Sequence, residues 1–350
     1  MTGKTGETSE AANPKDESPA PEKTEAAGPP EGGETPPEEK TDAAQKTLEP
    51  SSLKRSGRLP VYLSLLLTAL LWGGTFSAGK TAAREAGPLT AALLRFATAA
   101  LILVPQLRIL EGSFLPRKRS LRAWILLFFS ALTGLVLYNY FFIRGLASTD
   151  AGRGSVIVAL NPAFIYLGTV FFFGERFTLI RCVGMLTAIS GTILVVTGGD
   201  LRSVVQGGAR AGDIFMFLCV LSWAGYSLIG KLLVGEVSPL AANAWSTVLA
   251  VALLLPLLFF SGEDLSRIRS FSASVWTAIV FLGVGGSALG FTFFYRGILA
   301  LGPNKAGVFI ALVPFFGVLC GAVVFGEKIT FSILAGLLVS LAGLSVIQKY

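Results

Sequence analysis

The side chains that usually carry chemistry are placed in this sequence for recognition, not reaction. Histidine is absent from all 350 residues, which removes the commonest general base, the commonest metal ligand and every Ser-His or Cys-His nucleophilic pair. Cys182, Cys219 and Cys320 stand far apart in long apolar runs, a spacing that suggests neither a disulfide framework nor a zinc cluster. No metal or other cofactor is expected. The carboxylates beyond residue 50 are Glu85, Glu111, Asp150, Glu175, Asp200, Asp213, Glu236, Glu263, Asp264 and Glu327. Each falls at or near a break between apolar runs, so no carboxylate pair lies deep enough for intramembrane acid–base or metal chemistry.

Inside the apolar runs the polar and aromatic residues are few. Arg95 lies about eight residues into its run, where a charge costs roughly 2.5–3.5 kcal/mol on insertion scales. Two readings are open: an arginine lining a polar cavity, available to a carboxylate or phosphate, or a structural arginine bonded to carbonyls of a neighbouring helix. Trp72 with Phe76, and Trp223 with Tyr226, fall past the middle of their runs, away from the ends where interfacial tryptophans gather. They are cavity candidates, as are Tyr138 and Asn139 in the Tyr138-Asn139-Tyr140 step and Asn161 ahead of Pro162. Pro162 and Pro314 each remove a hydrogen bond within a run, so they are hinge candidates, a static kink being the alternative. Gly184, Gly191, Gly336 and Gly343 supply small faces for helix packing.

These residues are held by a strongly apolar body. The chain is 52% hydrophobic and 15% charged, with a mean hydropathy of +0.65, against about 25% charged for soluble domains. Residues 1–50 carry 12 Asp/Glu, 5 Lys/Arg and no Phe, Trp or Tyr. Such a Pro/Glu-rich stretch buries too little apolar area to offset its chain entropy, so 1–53 is expected to be a disordered acidic tail, not a signal peptide. Beyond it, ten runs approach the roughly 17–25 residues needed to cross a bilayer: 60–80, 88–108, 122–144, 153–173, 178–198, 212–233, 239–260, 273–296, 304–325 and 329–348. Their continuous, non-alternating hydrophobicity selects helices over a barrel. The expected fold is an all-α integral membrane protein of ten transmembrane helices. The basic residues lie between these runs and not on a soluble face, which argues against a nucleic-acid partner.

An internal repeat divides the body. Phe-Phe-Ile-Arg-Gly at 141–145 returns as Phe-Phe-Tyr-Arg-Gly at 293–297, 152 residues later, and Phe-Gly-Glu-Arg-Phe-Thr at 173–178 returns as Phe-Gly-Glu-Lys-Ile-Thr at 325–330. Asn161-Pro162 falls opposite Val313-Pro314 at the same offset, and Trp72 and Lys80 map onto Trp223 and Lys231 at an offset of 151. The halves are 59–199 and 210–350, each with five spans. A unit with an odd number of spans ends on the side opposite its start, so the second copy must insert upside down. Inverted repeats are an architecture of alternating-access transporters, with the solute held near the midplane between them. With the N-terminus inside, the first half carries ten Lys/Arg on the cytoplasmic side against six on the other, which places both termini in the cytoplasm.

Leu-Trp-Gly-Gly-Thr-Phe at 71–76, Leu-Arg-Phe at 94–96, the Asn161-Pro162 and Pro314 helices and the two Phe-Gly-Glu turns together resemble the drug/metabolite transporter superfamily, in its EamA-type ten-helix branch. The resemblance covers residues 59–350 and leaves the tail unmatched. It implies a permease of the cytoplasmic (inner) membrane for amino acids or similar small metabolites, often exporting them, with a small-molecule solute and the bilayer as its partners. No oligomeric state follows from it. A nucleotide-sugar or phosphorylated-metabolite exchanger is the alternative within transport; an intramembrane enzyme and a tail-dependent receptor or scaffold are the alternatives outside it. No carboxylate remains near the midplane, so flux driven by the solute's own gradient, as uniport or exchange, is expected in place of proton coupling.

Overall fold

In the computed structural model, residues 58–116, 120–200, 210–301 and 303–349 are described. The expected disorder of residues 1–53 falls outside them, as do three residues of the basic cluster at 117–122.

The described chain is built from helices. Five make up the first half: α1 (Arg58–Ala82), α2 (Pro88–Glu111), α3 (Leu121–Leu146), α4 (Ala151–Phe173) and α5 (Leu179–Thr197). The second half repeats them as α6 (Ala211–Leu233), α7 (Pro239–Ser261), α8 (from Ala273 to Leu301), α9 (Pro303–Ile310 and Val313–Phe325) and α10 (Phe331–Lys349). Among the described residues nine helices are long and apolar enough to span a membrane, and α10 adds a shorter apolar stretch, Phe331–Ile347. Proline opens α2 and α7, where its missing N–H has no intrahelical partner to lose. Left-handed glycines close α2, α5 and α7 at Gly112, Gly198 and Gly262.

The two halves interlock by exchange. α1 packs against α8 and α9 of the other half, and its counterpart α6 packs against α3 and α4. α2 pairs with α7, and α5 lies along α10. The last pair meets through reciprocal glycines: a Cβ on Gly191 would stand 2.5 Å from the carbonyl oxygen of Gly336, and one on Gly184 would stand 2.8 Å from that of Gly343. Backbones approach this closely only where no side chain intervenes.

The continuous helices read from the sequence are corrected in α3 and α8, and the proline positions of α4 and α9 are full breaks. α3 contains a π-helical segment, Ala131–Leu137, and α8 contains its equivalent, Phe281–Leu289. Such a segment bonds to the fifth residue back, as Gly290 N–H does to the Gly285 carbonyl, and one added residue turns the downstream helix by about 100°. That turn re-aims Tyr138 and Phe142 in α3, and Phe291 and Phe294 in α8. α4 and α9 are broken rather than bent. α4 runs as Ala151–Val158 and Asn161–Phe173, α9 as Pro303–Ile310 and Val313–Phe325. Pro162 and Pro314 open the second pieces, since neither has an N–H to continue the ladder.

A central aromatic cavity

A cavity of about 760 Å³ lies between the halves, within the size range of small-molecule sites. It brings together nine of the ten candidates: Trp72, Phe76, Arg95, Tyr138, Asn161, Pro162, Trp223, Tyr226 and Pro314 all contribute to its wall. Asn139 is the exception. It is buried behind Arg95, where its Oδ1 accepts a 2.8 Å hydrogen bond from Arg95 Nη1 and its Nδ2 donates to the Leu135 carbonyl at 2.8 Å.

Each wall residue is positioned by the fold just described. The Trp72 indole N–H donates to the Gly286 carbonyl at 2.9 Å, and its ring meets Phe291 and Phe294 at centroid distances of 5.1 and 5.4 Å. Glycine is required beneath it, because a Cβ on Gly290 would stand 2.5 Å from the indole nitrogen. Trp223 touches Tyr138 at 5.3 Å and Tyr226 at 5.1 Å. Tyr138 stacks on Phe142, which meets Phe76 edge-on at 5.2 Å. Rings from both halves thus form one continuous apolar surface, interrupted by a few polar groups. One of these is Asn161, whose Oδ1 is buried without a hydrogen-bond partner.

Arg95 is the charged member of the described lining. Its Nε donates to Ser287 Oγ at 3.0 Å, and the guanidinium lies over the Phe96 ring at 5.5 Å. The partners are neutral side chains from α3 and α8, not the helix carbonyls of the structural reading.

Phe142, Phe291, Phe294, Tyr295 and Ser287 were not singled out by sequence reasoning. A signal existed, since the repeated Phe-Phe-x-Arg-Gly segments contain Phe142 and Phe294 and lie just beyond the Tyr138-Asn139 step and its equivalent.

Among the described residues the cavity opens toward one face. It reaches the α6–α7 turn at Val234, Gly235 and Val237, on the face that also carries the start of α1 and the end of α10. The opposite face is tied shut across the halves. Glu327, after α9, accepts Lys80 Nζ at 2.7 Å and the N–H groups of Ala151 and Gly152 at 2.9 and 3.0 Å. Asp150 accepts Lys80 at 3.1 Å and Arg210 at 2.7 Å, and Asp213 receives Arg153 and Thr149. Glu263 accepts the N–H groups of Leu89 and Thr90 at the start of α2, and Glu85 accepts both the N–H and hydroxyl of Ser272 at the start of α8. Carboxylates at helix N-termini satisfy otherwise unpaired N–H groups and the local dipole. On the open face, Glu175 receives Lys231 at 2.6 Å and lies 3.8 Å from Arg181. The two phenylalanine-glycine-glutamate turns therefore reach across to lysines of the other half.

Comparison with known proteins agrees with this architecture. The family described as the EamA-like transporter family matches residues 59–197 and again 210–348. The uncharacterized transporter YyaM of Bacillus subtilis is 27% identical over 73% of this chain and 83% of its own. An uncharacterized transporter of Archaeoglobus fulgidus is 27% identical over 82% and 98%, and the WAT1-related protein At3g02690, chloroplastic, of Arabidopsis thaliana is 25% identical over 81% and 68%. A solved crystal structure shares the fold at a TM-score of 0.58 with 19% identity, covering 81% of this chain and 94% of the other. The chain belongs to the EamA-like transporter family; it is a multi-pass membrane transporter and not an enzyme.

Proposed function

We propose that this EamA-family member exports a small organic metabolite, an amino acid or similar solute, across the cytoplasmic membrane by alternating access. The observation that carries the reading is the cavity itself, enclosed between the halves, open on one face and shut on the other by ion pairs and capped helices. The open face bears the termini and the denser basic loops, so the positive-inside rule supports a cytoplasmic entrance. Loading then occurs from the cytoplasm. Opening of the Lys80–Glu327 face with closure of the Lys231–Glu175 face would release the solute outside, and the breaks at Asn161-Pro162 and Val313-Pro314 are the hinges best placed to serve that exchange. The aromatic wall of Trp72, Phe76, Tyr138, Trp223 and Tyr226 would hold the solute, with Arg95 as its charged contact. A phosphorylated-metabolite exchanger is less well supported, because a phosphate dianion calls for more than the single cation of the described lining.

Counterflow in proteoliposomes loaded with amino acids, nucleobases and small organic acids tests the proposal. Saturable exchange of at least one class, lost on Trp223→Ala, is expected. No saturable flux for any of them would overturn it.

A further inference from the structure

A second, smaller void adjoins the central cavity. Its volume is about 30 Å³, room for a water or for the oxygens of one carboxylate group. It shares Arg95, Tyr138 and Trp223 with the main cavity and is backed by Asn243 of α7 and Ser287 of α8. Asn243 has no notable partner in the repeat, where Ala92 occupies the matching position at an offset of 151.

Two residues in the wall of this void each keep an unused donor. Arg95 is 8% exposed; its Nε and Nη1 are bonded, but Nη2 makes no hydrogen bond among the described residues and no carboxylate lies within ion-pairing distance. Asn243 is 5% exposed, and its Nδ2 is shut off from solvent without an acceptor. Buried donors are normally satisfied, and a buried charge is normally paired. Neutral Asn139 and Ser287 hold the guanidinium in place without cancelling its charge, so the void is a positively charged pocket with N–H groups still to be used. Around it, nine aromatic residues line the main cavity, while no Asp or Glu lines either space among the described residues. An ammonium group would find no counter-ion there, and a doubly charged phosphate would find half of what it needs.

We propose that Arg95 and Asn243 form a carboxylate subsite, and that the solute is a monocarboxylate with an apolar, ring-bearing body lying against the aromatic wall. The inference rests on the transport reading above and narrows its solute from amino acids and similar metabolites to carboxylates without an ammonium group. A guanidinium and an amide N–H together supply charge-assisted donors matched to a carboxylate, and the rings of Tyr138 and Trp223 shield that contact from water.

The test uses the full-length protein in proteoliposomes, with binding of 3-phenylpropanoate measured against its uncharged amide and against 3-phenylpropylamine. The acid is expected to bind at least tenfold more tightly than either, and Arg95→Gln or Asn243→Leu should erase the preference, with Arg95→Lys keeping part of it. Asn243→Asp gives a second readout that does not depend on loss of folding. Its new carboxylate would pair with Arg95, so affinity for the acid should fall at least tenfold while thermal stability is kept or raised. Equal binding of the amide or amine, binding of none of the three, or unaltered affinity in Asn243→Asp would overturn the subsite. Saturable counterflow of a neutral or cationic solute that is indifferent to Arg95→Gln would also overturn it while leaving transport standing; absence of all saturable flux would bring down the transport reading itself.

Discussion

Lys80 Nζ stands 2.7 Å from Glu327 Oε1, joining the end of α1 in one half to the turn after α9 in the other. The same carboxylate caps the first piece of α4 through the Ala151 and Gly152 N–H groups, so three helices meet at one side chain that is 14% exposed. The equivalent pair, Lys231 and Glu175, is as short at 2.6 Å but more exposed, at 45% and 37%. Alternating access in an inverted repeat exchanges such environments.

The closed face should therefore loosen when this contact is cut. In Glu327→Gln the charge is lost and the amide cannot receive all three donors, a change of roughly 1.5–3 kcal/mol for hydrogen bonds to a charged group. Spin-label distances between the α1–α2 and α9–α10 turns are expected to shift toward a wider population, while distances on the termini-bearing face shorten. Unchanged distances on both faces would show that the pair is not what keeps the face shut.

The second prediction follows from a difference between the repeats. At the offset of 152, Ala151 corresponds to Pro303, which has no N–H. When the α6 face closes, Glu175 can gain one fewer backbone donor than Glu327 has on its own face. This biases the protein toward the state open on the termini-bearing face. Pro303→Ala restores the donor and should move the equilibrium toward the opposite state by about 1 kcal/mol, read as reduced thiol labelling of a cysteine introduced at Gly235. Increased or unchanged labelling would refute the bias.

The residues show what the sequence made legible. Ten apolar runs and the 5+5 repeat could be read directly, because a helix in lipid must be apolar along its length and a duplicated unit keeps its order. Trp72, Trp223 and Arg95 stood out because their types are costly or unusual deep in a span. The π-helical turns at Ala131–Leu137 and Phe281–Leu289 left no compositional mark: an inserted residue looks like any other apolar residue. Asn243 is one of three polar residues, with Ser246 and Thr247, within five positions of α7, and only its place in the void wall with Arg95 gives it meaning. Lys80 and Glu327 were each visible as repeated residues, but their meeting depends on how the halves interlock.

Helix packing supplies a third prediction. Gly191→Ala puts a methyl 2.5 Å from the Gly336 carbonyl oxygen and the Ser340 nitrogen, both backbone atoms that can yield only if α5 and α10 separate. A loss of about 1–3 kcal/mol is expected for such overpacking, seen as a lower melting temperature in detergent. Gly230→Ala, on the cavity wall with nothing within 4 Å of the added carbon, should be neutral or raise stability by up to about 1 kcal/mol through helix propensity. Equal effects of the two would mean that the α5–α10 contact is not close-packed.

The last prediction concerns energy coupling. A proton-driven carrier needs a group that gains and loses a proton as the site changes face, and here histidine is absent and no Asp or Glu lines the cavity among the described residues. The carboxylates at the two faces are poorly suited to the task. Burial would raise Asp150, but hydrogen bonds from Lys80 and Arg210, together with their charges, hold it below the usual carboxylate range. The hydrogen bond from Lys231 does the same for Glu175, and bonds from Ser272 for Glu85. A carboxyl lowered by its native contacts stabilises that arrangement above the ordinary pKa and loses the contribution only as pH falls through the lowered value. These contacts should therefore persist across about pH 5–8 and weaken below about pH 4. Counterflow of whichever solute the screen identifies is expected to vary less than about twofold between roughly pH 5.5 and 8 once the solute's own ionisation is allowed for, and an imposed pH gradient should produce no accumulation. Uphill accumulation driven by the gradient and abolished by Glu175→Gln or Glu327→Gln would instead make those glutamates the coupling groups.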